Sequence, residues 1–120
     1  MAKIITIGLD PAAVFQLMRA LGADRHEIAH KPKNAPFSDV IDSDIVFASG
    51  EGKQYLPLLK QIREAVPGLP FVVIAGIPET ADWLDALEAG ATDYCSAPFE
   101  PRHLNWLMET AMPAHRTVAA

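Results

Sequence analysis

The sequence predicts a doubly wound parallel α/β domain, and two observations lead to that prediction. Short apolar runs rich in β-branched residues, such as KIITI at 3–7 and FVVIA at 71–75, are typical of strands buried on both faces of a sheet. Segments with helical apolar periodicity separate these runs. Because strands joined through helices run parallel with right-handed crossovers, the alternation indicates one three-layer sandwich.

The elements follow in order along the chain. Five strands are predicted, at 3–7, 26–30, 44–48, 71–75 and 92–96. Helices are predicted at 11–21, 54–66 and 78–88 and from 101 onward. Asp10 and Pro11 form a helix start, because a carboxylate accepts from open backbone N–H groups and proline suits the first helical position. Pro32 and Pro36 forbid a long helix between the second and third strands, where at most a turn or two is expected after Ser38.

This order of elements gives a sheet of the flavodoxin-like kind. In such sheets ligands bind at the carboxyl ends of the strands, near the point where the strand order reverses. Those ends fall at 8–10, 49–53, 75–77 and 96–98. Any chemistry is therefore expected at these four segments.

Size and charge restrict the class of protein. The length of 120 residues predicts one domain, assigned to 1–112, with 113–120 as a tail or the start of a linker. A net charge of −5 argues against direct binding of nucleic acid. No apolar run reaches the ~18 residues that span a bilayer, so a cytoplasmic protein without membrane contact is expected. The single cysteine, Cys95, is expected to be a small buried apolar residue rather than part of a cysteine-rich metal site.

One stretch carries a family resemblance. The string AGATDYCSAPFEPRHL at 89–104 resembles the end of the receiver domain of two-component response regulators, usually written A-G-A-x-D-Y-hydrophobic-x-K-P-F-x-x-x-x-L. The resemblance extends over the chain in element order and implies the sheet order 2-1-3-4-5. It also implies a domain that takes a phosphoryl group from phosphohistidine onto an aspartate at the end of the third strand. That chemistry needs an acidic pair for magnesium, a hydroxyl and a lysine.

The chain departs from the family at each of these positions. They are occupied by Gly8 and Leu9 beside Asp10 for the acidic pair, Ser49 for the aspartate, Ala75 for the hydroxyl and Ala97 for the lysine. One carboxylate makes a poor magnesium site, so loss of Mg²⁺ binding and absence of any cofactor are expected. Since the losses are mutually consistent, the sequence indicates a pseudo-receiver that is not an enzyme.

Other charged residues are not expected to replace the missing groups of the phosphoryl-transfer site. Asp44 begins its strand, roughly 16 Å from Ser49, and cannot reach the pocket. Glu51 and Lys53 lie in SGEGK, which lacks the spacing of a phosphate loop and is interpreted as a turn with two glycines for positive φ. Asp10 is favoured as a helix cap over a metal ligand.

The resemblance implies output through the helix after the fourth strand, the fifth strand and the last helix, the family's fourth and fifth helices. Tyr94 falls at the family's switch aromatic, although a half-buried strand tyrosine is an equal alternative. Leu84 and Leu87 are expected on the core face of the helix at 78–88, with Trp83 about 100° away from Leu84.

The last helix follows the same logic. Its expected core face is Leu104, Leu107, Met108 and Ala111, and Trp106 lies off that face. Because tryptophan is common among interface anchors, Trp83 and Trp106 are predicted to mark a homodimer or partner surface, with partial burial as the alternative.

The four histidines, His26, His30, His103 and His115, show no metal-binding spacing and are expected at an edge strand or in solvent. The leading hypothesis is a signalling regulator of receiver fold that acts by protein contact without phosphorylation. The first alternative is a phosphoacceptor that uses an unorthodox residue. The second is a small-ligand sensor, because Gly8, Ser49, Gly76 and Ala97 leave room in the pocket.

Overall fold

A computed structural model describes residues 2–22, 26–77 and 79–109. The strands are β1 (Lys3–Ile7), β2 (Glu27–Lys31), β3 (Ile45–Ser49), β4 (Phe71–Ala75) and β5 (Asp93–Ser96). The helices are α1 (Pro11–Leu21), α2 (Leu56–Ala65), α3 (Thr80–Glu88) and α4, helical over 101–109. All five strands are parallel, in the order β2-β1-β3-β4-β5. The predicted flavodoxin-like fold and strand order are confirmed.

Several element boundaries differ from the prediction by one or two residues. β2, β3 and β5 each begin one residue later than expected, and α2 begins at Leu56 because residues 51–53 form a 3₁₀ turn. The expected short helix after Ser38 is a 3₁₀ turn over Phe37–Asp39. Pro78, the domain end at 112, Ala111, His115 and the tail at 113–120 lie outside the described residues.

Alternate residues of the strands build two separate cores, one on each face of the sheet. On one face, Ile5, Val46 and Val73 pack with Leu59 and Ile62 of α2 and with Ala86 of α3. On the other face, Ile4, Phe47 and Val72 pack with Leu17 of α1 and with Leu104 and Leu107 of α4. Two helices therefore cover each face, which is the three-layer arrangement that the sequence predicts.

Helix α3 faces the sheet differently from the prediction. Leu84 and Leu87 were expected in the core, but they are 46% and 37% exposed. Ala86 is the fully buried residue of α3. A helix that packs through alanine approaches the sheet closely, so the two leucines project past the core. The expected core face of α4 is confirmed at Leu104 and Leu107.

Polar contacts join the loops at the amino edge of the sheet. Arg63 donates from Nε to the carbonyl of Gly90 at 2.7 Å and from Nη1 to the carbonyl of Leu69 at 2.7 Å. Burial lowers the pKa of this guanidinium. The backbone N–H of Lys3 donates to Asp44 Oδ2 at 2.8 Å. Asp44 therefore lies at the amino edge of the sheet, far from Ser49, as expected.

Within the described residues, no helix combines the length and the apolar character needed to cross a bilayer.

Candidate functional site at the carboxyl edge of the sheet

The carboxyl ends of β1, β3 and β4 surround an open cleft of about 560 Å³. Seven of the residues predicted from the sequence line it, namely Gly8, Leu9, Asp10, Ser49, Ala75, Gly76 and Tyr94. Ala97 is exposed and lies outside this lining, after a strand that ends at Ser96 and before a cis peptide bond to Pro98. The topology therefore gathers the predicted positions at one place, with the exception of Ala97.

Asp10 and Ser49 both have local hydrogen-bond partners. The backbone N–H of Ala13 donates to Asp10 Oδ1 at 2.8 Å, which confirms Asp10 as the N-cap of α1. The backbone N–H of Glu51 donates to Ser49 Oγ at 3.2 Å. These two polar side chains thus hold a helix start and a turn.

Lys33, which was not predicted at the site from the sequence, enters the cleft from the loop after β2. Its ammonium lies 2.9 Å from Glu51 Oε2, and the side chains of the pair are 43% and 74% exposed. Gly8 has a φ of +67°, and a Cβ there would lie 2.6 Å from Lys33 Cγ. A side chain at position 8 would therefore meet the lysine stem. Parallel strands all end at the same edge of the sheet. The basic residues in the loop after β2 were therefore the sequence signal that could have placed a lysine at the cleft.

A second lysine joins the β3 loop to α3. The Lys53 ammonium lies 2.6 Å from Asp85 and 3.7 Å from Asp82, a residue that also lines the cleft. The hydrogen bond to Asp85 raises the pKa of Lys53. Lys53 lies on a solvated turn, as predicted, but its two aspartate partners were not predicted from the sequence.

The glycines of this turn have different roles. Gly52 has a φ of +61°, as expected, whereas Gly50 has a φ of −85°, so the prediction of two glycines at positive φ is wrong. A Cβ at Gly50 would lie 2.9 Å from Val73 Cγ1. Gly50 is therefore suited by close approach to β4 rather than by its backbone angle.

Two tyrosines belong to or pack against the core on the α2 and α3 face of the sheet. Tyr94 on β5 is half-buried and packs against the core on the α2 and α3 face. Tyr55, before α2, is buried against Phe71 with ring centroids 6.1 Å apart. Burial raises the pKa of the Tyr55 hydroxyl. The switch role predicted for Tyr94 stays a prediction.

Large apolar side chains are exposed on α3 and α4. Trp83 is 42% exposed and Trp106 is 56% exposed. Leu84 and Leu87 add to the apolar surface of α3. Trp106 stacks on the ring of His103, with centroids 6.1 Å apart. Trp106 lies off the core face of α4, as predicted. Trp83 is about as exposed as Leu84, so the predicted separation of a leucine core face from Trp83 on α3 is wrong.

The cysteine and two of the histidines considered in the sequence lie away from the cleft. Cys95 is half-buried, and burial, with a further contribution from Asp93, raises the pKa of its thiol to about 12. His26 Nδ1 accepts from the N–H of Ala2 at 3.2 Å, and His30 Nδ1 lies 2.7 Å from Thr6 Oγ1. These two histidines join β1 to the edge strand β2 and its start, so their expected edge-strand position is confirmed.

No model of a known protein family matches the chain. Over 83 residues, or 68% of the chain, the sequence is 36% identical to the phosphate regulon transcriptional regulatory protein PhoB of Klebsiella pneumoniae. The matched part is 35% of that protein, so the chain spans only about a third of this relative's length.

Solved structures give the same fold. The CheY-like response regulator receiver domain protein from Methanospirillum hungatei JF-1 matches 98% of both chains at 16% identity, with a TM-score of 0.76. A response regulator receiver domain protein from Clostridium thermocellum matches 98% of this chain and 99% of its own at 18% identity, also with a TM-score of 0.76. The chain is therefore similar in sequence to a response regulator over 68% of its length, and it has the CheY-like fold of response regulator receiver domains. The resemblance found in its sequence is confirmed at that level.

Proposed function

We propose that the chain is a signalling module of cytoplasmic two-component regulators that works by protein contact, without phosphorylation, catalysis or a bound cofactor. The observation that carries the proposal is the set of side chains at the carboxyl edge. Gly8, Leu9, Ser49 and Ala75 line the cleft and offer no carboxylate nucleophile or acidic pair. Acyl-phosphate chemistry requires both.

The carboxylates that do line the cleft support the same proposal. Asp10 caps α1, Glu51 pairs with Lys33, and Asp82 lies near Lys53. Among the described residues, no buried side-chain nitrogen or oxygen lacks a hydrogen-bond partner. A magnesium ion prefers several unshared oxygen ligands in octahedral geometry. This donor set fits that ion poorly.

The proposed contact surface is formed by α3, β5 and α4. Trp83 and Trp106 are its proposed anchors, and a homodimer or a protein partner is its proposed occupant. Exposed tryptophan and leucine side chains support this role because aromatic residues are enriched among interface hot spots. Direct contact with nucleic acid or membrane is not part of the proposal.

Intact-mass spectrometry after incubation with magnesium and acetyl phosphate tests the phosphorylation-independent function. The expected result is an unchanged mass, while a phosphorylatable receiver domain treated alongside gains one phosphoryl group. An adduct on this chain would refute the proposal and support the unorthodox phosphoacceptor. Peptide mapping would then identify the residue.

Sedimentation velocity tests the surface. The double variant Trp83→Ala with Trp106→Ala is expected to lower self-association, or capture of a defined partner domain, at least about tenfold. A matched control replaces Phe15, which is exposed on α1, by alanine. Unchanged association in the double variant would remove the surface from the proposal.

One observation favours a second candidate function, sensing of a small ligand. The cleft volume of about 560 Å³ lies within the range of small-molecule sites, and Lys33 brings a cation to its wall. Thermal melting against a panel of anionic metabolites checks this candidate. No stabilisation at millimolar ligand would remove it.

A further inference from the structure

Three side chains with metal-binding chemistry meet on the opposite side of β5 from the α2 and α3 core. They are Asp93, Cys95 and His103, and one ligand atom from each lies within 4.8 Å of the other two. Asp93 and Cys95 are two residues apart on β5, so their side chains point to the same face. His103 comes from the first turn of α4. Sequence spacing alone did not reveal this set, because its members belong to two different elements.

The individual distances are close to those of a coordination shell. His103 Nε2 lies 2.6 Å from Asp93 Oδ2, and Cys95 Sγ lies 3.8 Å from the same oxygen. Tetrahedral zinc with bonds of about 2.0 to 2.3 Å separates its ligand atoms by roughly 3.3 to 3.6 Å. The sulfur is nearly at that separation, and the histidine has to move by less than about 1 Å.

The surroundings hold the cluster in position and leave room for a further ligand. Asp93 Oδ1 accepts from the N–H of Tyr94 at 2.7 Å, which directs Oδ2 toward His103 and Cys95. A recess of about 200 Å³ beside the cluster is lined by Cys95, Glu100 and His103, among others. The side chains of His103 and Asp93 are 44% and 22% exposed, so an ion has access from solvent.

We propose that Asp93, Cys95 and His103 form a binding site for a zinc-like divalent cation, with water as the fourth ligand. A thiolate and an imidazole select borderline-soft ions such as zinc over magnesium and calcium, which require oxygen ligands. Coordination replaces the thiol proton of Cys95, which passes to solvent as the metal–sulfur bond forms. It also replaces the proton shared by His103 Nε2 and Asp93 Oδ2, which moves to His103 Nδ1 or to solvent. The ion ties α4 to β5, directly beside Trp106, and does not involve the cleft at the carboxyl edge.

Cobalt(II) titration of the whole chain, purified without a metal-binding tag, tests the site. One equivalent of Co²⁺ is expected to produce a sulfur-to-cobalt charge-transfer band and intense visible bands of tetrahedral geometry. Addition of Zn²⁺ should bleach these bands, whereas an excess of Mg²⁺ should leave them unchanged. Absence of the charge-transfer band would overturn the proposal.

Variants assign the ligands. Cys95→Ser is expected to abolish the charge-transfer band, and His103→Gln, a change at a half-exposed side chain, is expected to lower cobalt affinity at least about 100-fold. His30→Gln is the matched histidine control and should bind as the unaltered chain does. Circular dichroism confirms that each variant folds. If His103→Gln binds cobalt normally while folded, the proposed site is wrong.

Tryptophan fluorescence provides a second readout. Because the Trp106 ring stacks on His103, binding of Co²⁺ is expected to quench its emission. Trp106→Phe should remove most of the response while Trp83 remains as an internal reference. A response that persists unchanged in Trp106→Phe would place the ion elsewhere and contradict the proposal.

Discussion

The two edges of the sheet differ in what their polar side chains do. At the amino edge, Arg63 and Asp44 bond to backbone groups of neighbouring loops and strands. At the carboxyl edge, Asp10 and Ser49 accept from local backbone N–H groups, but the pairs Lys33–Glu51 and Lys53–Asp85 are exposed and the two members of each pair bond to one another. Partly buried bonds to the backbone stabilise a fold more than exposed ion pairs do. The polar contacts of the amino edge are therefore expected to contribute more to the free energy of unfolding than the charged pairs of the carboxyl edge do.

Replacing Arg63 should have the largest effect on stability. Arg63→Ala leaves the carbonyls of Gly90 and Leu69 without their donor, so we expect a loss of about 2 to 3 kcal/mol in the free energy of unfolding. Urea unfolding followed by circular dichroism measures it. Lys60→Ala, at an exposed position of the same helix, is the control and should change stability by less than about 0.5 kcal/mol. Equal effects of the two variants would contradict the expectation that the Arg63 contacts at the amino edge stabilise the fold.

A substitution at Gly8 tests the carboxyl edge by sterics rather than by polar bonds. Gly8→Ala places a Cβ against the Lys33 stem at a positive φ, so a loss of about 1 to 2 kcal/mol is expected. In a Lys33→Ala background the steric part should disappear, which leaves the backbone cost of about 1 kcal/mol. A double-mutant cycle of urea unfolding measures the difference. Strict additivity would show that Lys33 does not occupy the position assigned to it.

Removal of the exposed pair should have a small effect. Lys33→Ala and Glu51→Ala are each expected to change the free energy of unfolding by less than about 0.5 kcal/mol, because an ion pair in solvent gains little. The same urea unfolding experiment applies. A loss of 2 kcal/mol or more would make the two edges energetically alike.

The ionisation of Tyr55 is expected to change the free energy of unfolding only in alkaline solution. Because the folded pKa of Tyr55 is raised, its contribution to stability is complete below its unfolded value near pH 10 and is lost as pH rises through the folded pKa. Absorbance titration near 295 nm, in folded and urea-unfolded protein, should show this difference. Tyr55→Phe should remove the raised titration. Identical curves for Tyr55 in the two states would contradict the assignment.

The sequence predicted the fold well because the strand pattern and the D-P helix start are local signals. It also correctly predicted that Gly8, Ser49 and Ala75 lie together, since parallel strands end at one edge of the sheet. Side-chain packing was harder to predict. Leu84 and Leu87 looked like a core face, but Ala86 is the fully buried residue of α3 and the two leucines are partly exposed.

Contacts between distant loops also could not be predicted from the sequence. Lys33 reaches the cleft from a loop that carries no motif, and its distance from Glu51 depends on the path of the backbone between them. The same limit applies to Asp93 and His103, whose side chains meet only once α4 packs against β5.

The proposed function depends on the absence of phosphoryl-transfer chemistry at the carboxyl edge. An amide NMR titration of the folded chain with Mg²⁺ and beryllium fluoride, a phosphate mimic, measures whether that edge binds the two, with a phosphorylatable receiver domain as the control under the same conditions. We expect the signals of Gly8, Ser49, Gly76 and Tyr94 to stay in place while those of the control domain shift. Saturable, magnesium-dependent shifts at those residues would refute the proposed function and indicate phosphate-driven signalling.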